Sequence, residues 1–469
     1  MSLEQHFLGQ DRTYEKPLLL DQHHRYGHTW VIGQTGTGKS SWARQSFMQD
    51  VMAGRGACYF DFHGEDAPWL LDRIPKHRIE DVVYFNPLDP NFALGYNPFD
   101  GVAPEHFASH TDEIVGALRH IFATSWGARM DDILMNTVRA LFDLPPQSKS
   151  TLIGAVRMLN DPLYRSFVVN RCTEQTVKDF WFSEFAGWSK NDRAHNVNSS
   201  LNKIRRFQAS PVMRHTLGQP KSGLDIGAAI AKQCLVILNF NKWRIGAKNA
   251  DILASLILSR IIYEATHRDV PTKDGKPVAD LMPGFHVVVD EFQSVSSLAM
   301  VEALSGIRKS RVSFTLCHQH TDQISPAVLA AMKGNIGTKV VFRLGGDDAH
   351  KLHKAIEVVN AKELATQLDR SFLLQFKTGH SMSTKRARSV LAPYEVQGHA
   401  AKIINWTNAT YARPVEEVTE QYQRWISNRD PASAKTNSSY NSVKKKKSGS
   451  MRPLGAIMRE RYGAGEQSP

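Results

Sequence analysis

The chain has 469 residues, 42% of them hydrophobic and 22% charged, which suits a soluble globular protein with two domains and large cores. No apolar run approaches the roughly 18 residues of a membrane helix, and the polar residues 1–16 lack the apolar stretch of a signal peptide. The net charge of +12 points toward nucleic acid or an anionic membrane face, and half of it lies in residues 431–469, where eight Lys/Arg face two Asp/Glu. The four cysteines, Cys58, Cys172, Cys234 and Cys317, form no metal-ligand spacing and fit a reducing cytoplasm.

Residues 1–27 read as a lead-in with two clusters of turn and polar residues. Residues 28–32 predict a short strand, and residues 40–51 predict a helix. Between them lies Gly33-Gln34-Thr35-Gly36-Thr37-Gly38-Lys39-Ser40, a G-x-x-x-x-G-K-[ST] loop followed by Ser41. Its glycines let backbone N–H groups turn inward around a phosphate, where a Cβ would block the approach. Lys39 brings a point charge to the β- and γ-phosphates, and the Ser40 hydroxyl completes a Mg²⁺ shell, so ATP and Mg²⁺ are the expected ligands.

Residues 56–62 and 82–85 predict two further buried strands, the first ending in the polar turn His63-Gly64-Glu65-Asp66. Strand patterns then give way to helical ones. In residues 131–144, Ile133, Leu134, Val138, Leu141 and Phe142 recur at helical spacing. Phe180, Trp181, Phe182, Phe185 and Trp188 read as core for this helical segment. Strands return at residues 234–240, 286–289, 313–317, 339–343 and 372–376, with a long core-facing helix around Ile252–Ile262. The fold class is therefore α/β: a mainly parallel sheet flanked by helices, interrupted by an all-α insertion. The expected divisions are 1–103, 104–230 for the insertion, 231–429, and a basic tail, 430–469, disordered by composition.

Four features downstream fit a nucleotide hydrolase. Val287-Val288-Val289-Asp290-Glu291 ends an apolar strand in two carboxylates, Asp290 for the Mg²⁺ shell and Glu291 to accept a proton from water. Gln319 ends the following strand and is suited to sense the γ-phosphate, while His318 reads as a packed histidine. Arg308, near a helix end, is the first candidate for an arginine serving a neighbouring subunit's site, and Arg343 the second. Trp126-Gly127-Ala128-Arg129 opens a helix of the insertion, and local sequence leaves nucleotide, DNA or a carboxylate open as the partner of Arg129.

In this order, the phosphate loop, Tyr59-Phe60-Asp61-Phe62-His63-Gly64-Glu65, Trp126-Gly127-Ala128-Arg129, Asp290-Glu291-Phe292, Ile307-Arg308-Lys309, His318-Gln319 and Phe342-Arg343 resemble the HerA–FtsK superfamily. Within it the chain is most similar to the TraD/TraG-type coupling ATPases of type IV secretion and conjugation, over roughly residues 20–400. The resemblance implies a RecA-like motor domain, an all-α domain at the channel mouth, and a hexameric ring that moves DNA by ATP hydrolysis. It puts Lys39 and Ser40 on phosphate and Mg²⁺, Asp290 and Glu291 on metal and water, Gln319 as sensor and Arg308 as the finger between subunits. Relaxase and secretion components are the implied partners. Coupling proteins of this type begin with transmembrane helices, and this sequence has no such run; a HerA-like motor paired with a nuclease and a recruiting adaptor remain as alternatives. The expected place is the cytoplasm, with peripheral contact at the inner membrane as a further expectation.

Lys444-Lys445-Lys446-Lys447 would attract DNA phosphates or anionic lipid by the same Coulomb attraction, without reading bases. Deleting residues 431–469 is expected to leave ATP turnover at saturating DNA almost unchanged. It should lower low-salt affinity for DNA or anionic vesicles and flatten the slope of log affinity against log salt, measured by titration across salt concentrations.

Overall fold

Short apolar runs with no polar face can be stable only where a sheet is covered on both sides, and such runs build the centre of this fold. The computed structural model describes residues 5–145, 148, 150–268, 283–356, 360–378, 381–390 and 392–427; the basic tail lies outside them. Its strands are β1 (Gln5–Asp11), β2 (Pro17–Asp21), β3 (Thr29–Ile32), β4 (Gly56–Asp61), β5 (Val82–Phe85), β6 (Phe92–Ala93), β7 (Leu235–Asn239), β8 (Phe285–Val289), β9 (Val312–His318), β10 (Thr338–Val341), β11 (Ser371–Thr378), β12 (Ser381–Arg388) and β13 (Arg413–Pro414).

Eleven strands form one sheet in the order β2-β1-β12-β11-β10-β3-β9-β8-β4-β7-β5, and β6 pairs with β13 apart from it. From β10 to β5 all neighbours are parallel, while β11, β12, β1 and β2 add an antiparallel flank. Successive residues of the parallel strands supply opposite layers, as the period of two demands. Cys58, Phe60, Val287 and Val289 join the core on the side of the helical insertion. Ala57, Tyr59 and Val288 join the other, against the helix Lys39–Met52.

All eight strands expected from the apolar runs are present. Two differences stand out. The lead-in is not mere turn: β1 and β2 form a hairpin whose outer face is partly solvated, and its apolar runs, Phe7-Leu8 and Leu18-Leu19-Leu20, are short and bounded by polar residues. Strand β12, Ser-Met-Ser-Thr-Lys-Arg-Ala-Arg, is largely exposed and shows little apolar pattern at all. Among the described residues, 104–231 form helices and no strand. Phe180, Trp181 and Phe185 are buried there, whereas Phe182 points to solvent.

At the outer edge β5 meets the helix Ala400–Tyr411 rather than solvent. Thr407 Oγ1 accepts the Tyr84 N–H at 3.2 Å and donates to the Val82 carbonyl at 3.3 Å. The edge is thereby closed to pairing with another strand.

One buried ion cluster holds the phosphate-loop helix in place. Arg25 grips Asp50 with two bonds of 2.6 Å, and Arg55 Nε adds a third at 2.7 Å. Asp50 is fully buried. Burial alone would push its carboxyl up, but the Arg25 charge outweighs that and holds it well below the usual range. A depressed carboxyl contributes stability above the unfolded value of about 3.9 and loses it as pH falls. Asp50→Asn is expected to cost about 3–5 kcal/mol at pH 7, the scale for breaking a buried pair. The gap from wild type should narrow below about pH 4, as measured by denaturant unfolding across pH.

Candidate functional site

Parallel strands all present the same end to one edge of the sheet, and ligands bind at that carboxyl edge. Here the phosphate loop leaves β3, Gln319 follows β9, Asp290 and Glu291 follow β8, and His63 follows β4. Strand β9, which leads into Gln319, lies between β3 and β8.

The loop is shaped by its glycines and braced by its own backbone. Gly36 and Gly38 have φ of +79° and +110°. A Cβ on Gly33 would sit 2.5 Å from Phe342 Cβ, so only glycine fits there, whereas a Cβ on Gly36 would meet open space. The Gln34 carbonyl accepts from Thr37 Oγ1 at 2.7 Å and from Lys39 Nζ at 2.9 Å. Lys39 is buried, which lowers its pKa against the opposing pull of Asp290 and Glu291. Ser41 lies at the start of the helix, where its Oγ accepts from Arg44 at 3.3 Å.

The two carboxylates stand in different surroundings. Asp290 is buried, and burial, with Asp66 and Glu291 adding negative charge, pushes it up to about 7. Its Oδ2 lies 3.3 Å from Ser40 Oγ. A hydroxyl and a desolvated carboxylate side by side beside a phosphate cradle suit a hard divalent cation, so the residues present fit Mg²⁺ with a nucleotide. Glu291 adopts a left-handed backbone, φ +57°, at a cost of roughly 1–3 kcal/mol typical of functional strain. Burial would raise its carboxyl too. Hydrogen bonds from His63 and Gln319 outweigh it and bring Glu291 down to about 2.

Gln319 is the bridge. Its Nε2 donates to Glu291 Oε1 at 2.8 Å, while its Oε1 accepts from Thr35 Oγ1 at 2.8 Å. The exposed loop tip is thus tied to Glu291 through one side chain. His318 is buried, its Nε2 accepting the Trp30 indole N–H at 2.7 Å, and burial lowers it to about 4.

Residues that sequence reasoning left without a role also meet here. His63 Nε2 lies 3.5 Å from Glu291 Oε1. Asp61 positions it by accepting the backbone N–H groups of His63, Gly64 and Ala67 at 3.1, 2.8 and 2.8 Å. Its place after a buried strand was the available signal. Arg370 has φ +61°, donates its N–H to the Thr37 carbonyl at 2.9 Å, and lies against Gly38. Nothing in its local sequence marks it.

The two candidate finger arginines are far from equivalent. Arg343 is tied to the phosphate loop of its own chain: its carbonyl accepts the Gln34 N–H at 2.9 Å and its guanidinium pairs with Asp369 at 2.9 Å. Arg308 precedes β9, at the opposite edge of the sheet, in an open cavity with Asp21, His23, Tyr26, Lys309 and Arg311. Arg129 pairs with exposed Glu184 at 2.9 Å, over the Trp188 ring.

This is the RecA-like P-loop NTPase fold. The unbound bacterial conjugative coupling protein TrwBdeltaN70 superposes with a TM-score of 0.60 at 13% identity, covering 84% of this chain and 90% of its own. Plasmid coupling protein TrwB in complex with ADP and Mg²⁺ gives 0.57 at 13%, covering 84% and 92%. VirB4 of Thermoanaerobacter pseudethanolicus gives 0.53 at 13%, covering 83% and 96%. No family model and no curated protein matches the sequence. No helix of the described residues is long and apolar enough to cross a membrane.

The two glycines separate shape from strain. Gly33→Ala forces backbone and Phe342 apart, and is expected to cost about 1–3 kcal/mol, as overpacking does. Gly36→Ala meets no atom and carries only a left-handed penalty of about 1–2 kcal/mol. Thermal unfolding of both should show Gly33→Ala as the less stable.

Proposed function

We propose that the chain is an ATP-hydrolysing DNA motor of the conjugative coupling type, working as a hexameric ring. The observation that carries this reading is the Thr35–Gln319–Glu291 chain, which ties the phosphate cradle to a general base. A module that merely bound nucleotide would have no use for a carboxylate held by His63 and Gln319 and linked through Gln319 to the phosphate loop. The fold shared with TrwB and VirB4 supports conjugation and type IV secretion as the setting.

Bound ATP with Mg²⁺ supplies the phosphoryl group and the charge that draws water onto it. The chain's own residues do the rest. Backbone N–H groups from Gly36 to Ser41 face the phosphates, and Lys39 moves from the Gln34 carbonyl to them. Ser40 and Asp290 would hold the cation, and its charge would favour the ionised Asp290 carboxyl that burial opposes. Glu291 accepts the proton of the attacking water, and Gln319 trades its Thr35 contact for the phosphate, reporting its presence. Arg370, over Gly38, faces the same ligand. Arg308, remote from its own loop, serves the next subunit. DNA passes through the ring, with relaxase and secretion components as partners, and the basic tail makes peripheral contact with the anionic inner membrane.

Lys39→Ala should abolish hydrolysis. Glu291→Gln should bind ATP and turn it over at least ~10²-fold more slowly, and near-normal turnover would show that another group is the base. Arg308→Ala should keep ATP affinity and lose hydrolysis. Rings mixed from Arg308→Ala and Glu291→Gln subunits should regain part of the activity, because some interfaces pair an intact base with an intact finger. The same mixing with Arg343→Ala is expected to give no recovery.

A further inference from the structure

After β7 the chain makes a short turn, Asn241-Lys242-Trp243-Arg244-Ile245-Gly246, before the helix Ala247–His267. Asn241 (φ +35°) and Gly246 (φ +86°) bracket it in left-handed conformations. Ile245 turns inward and is buried, while Trp243 is 84% exposed, the most exposed large apolar side chain among the described residues. A tryptophan left in water forgoes the burial that stabilises a fold, and an indole so placed is available to a ligand.

The charge around it selects the ligand. Residues 241–250 hold Lys242, Arg244 and Lys248 and no carboxylate, and Trp243, Arg244 and Lys248 are all exposed. An aromatic face flanked by cations is the pattern that stacks a nucleic-acid base while attracting its backbone. Bases in a duplex are already stacked on each other, so the exposed ring suits a single strand.

The turn is also wired to the base. Lys242 bonds Ser294 Oγ and pairs with Asp251 at 3.3 Å. Ser294 in turn donates its N–H to the Glu291 carbonyl at 3.0 Å. On the other side the Lys242 N–H donates to the Phe62 carbonyl at 2.9 Å, next to His63, which touches Glu291. A ligand that moves the turn therefore pulls on both segments that hold Glu291.

We propose that Trp243, with Arg244 and Lys248, forms a base-stacking site for single-stranded DNA on the carboxyl edge of the sheet. The proposal rests on the reading of the chain as a DNA motor and deepens it. The test uses the full chain and a labelled oligothymidylate, followed by fluorescence anisotropy, with a duplex of equal length in parallel. Trp243→Ala should weaken single-strand binding by about five- to hundred-fold, the scale of one stacked base. Trp243→Phe should lose less, duplex binding should change less, and the thermal midpoint should hold because the side chain is exposed. Arg244→Gln should reduce the slope of log affinity against log salt by about 0.7. Wild-type affinity in Trp243→Ala, while the wild type binds DNA, overturns this site and leaves the motor reading standing. A loss of binding that merely follows a loss of assembly by sedimentation makes Trp243 a contact between copies, and also overturns it. A wild type that binds no DNA overturns both.

Discussion

The parallel register of four neighbouring strands is the constraint on which the crevice depends. Ile32 stands opposite His318, Leu316 opposite Val289, and Val289 opposite Phe60. With those pairs fixed, Gly33, Gln319, Asp290 and the turn after Asp61 must emerge side by side. A slip of one residue would send every side chain to the other face. It would bury Gln319 and turn Asp290 away from Ser40. Because both faces of these strands are packed, such a slip would also interchange two apolar layers.

Electrostatics then gives two adjacent carboxylates different work. Both feel burial, which favours the neutral form. Asp290 has chiefly other carboxylates for company, which with burial raise it to about 7. Glu291 has His63 and Gln319 as donors and remains charged. Pairs of carboxyls whose surroundings push them apart in this way can take different protonation states at one pH, the arrangement by which sites separate acid and base roles. The reversed backbone at Glu291 makes the division possible, since an extended residue there would direct the carboxylate to the opposite face of the sheet.

The phosphate loop, the Asp290-Glu291 pair and Gln319 were legible because their chemistry demands residue types at fixed spacing or at the end of an apolar strand. The parallel strands were legible for a related reason: burial on both faces leaves an uninterrupted apolar run. Where one face is solvated the apolar run shortens: β1 offers only Phe7-Leu8, β2 only Leu18-Leu19-Leu20, and β12 no adjacent apolar pair. His63 offered position without pattern. Arg370 and Trp243 offered neither, because contact with Gly38 and exposure to water are created by segments far away in sequence. The Arg25–Asp50–Arg55 cluster was invisible for the same reason.

Strand β3 has two neighbours, β9 and β10, and both lie beyond residue 311. Strand β1 pairs at once with β2 but gains its other neighbour, β12, only after residue 380. During synthesis the phosphate loop is therefore among the first segments made and among the last to be framed. Closing such long loops comes before any reward from pairing, which makes folding slow. Until the final third of the chain emerges, Thr29–Ile32 is an apolar strand with two open edges. In a growing chain that is an invitation to wrong pairing. The loop is therefore framed on both sides only once β9 and β10 have been made.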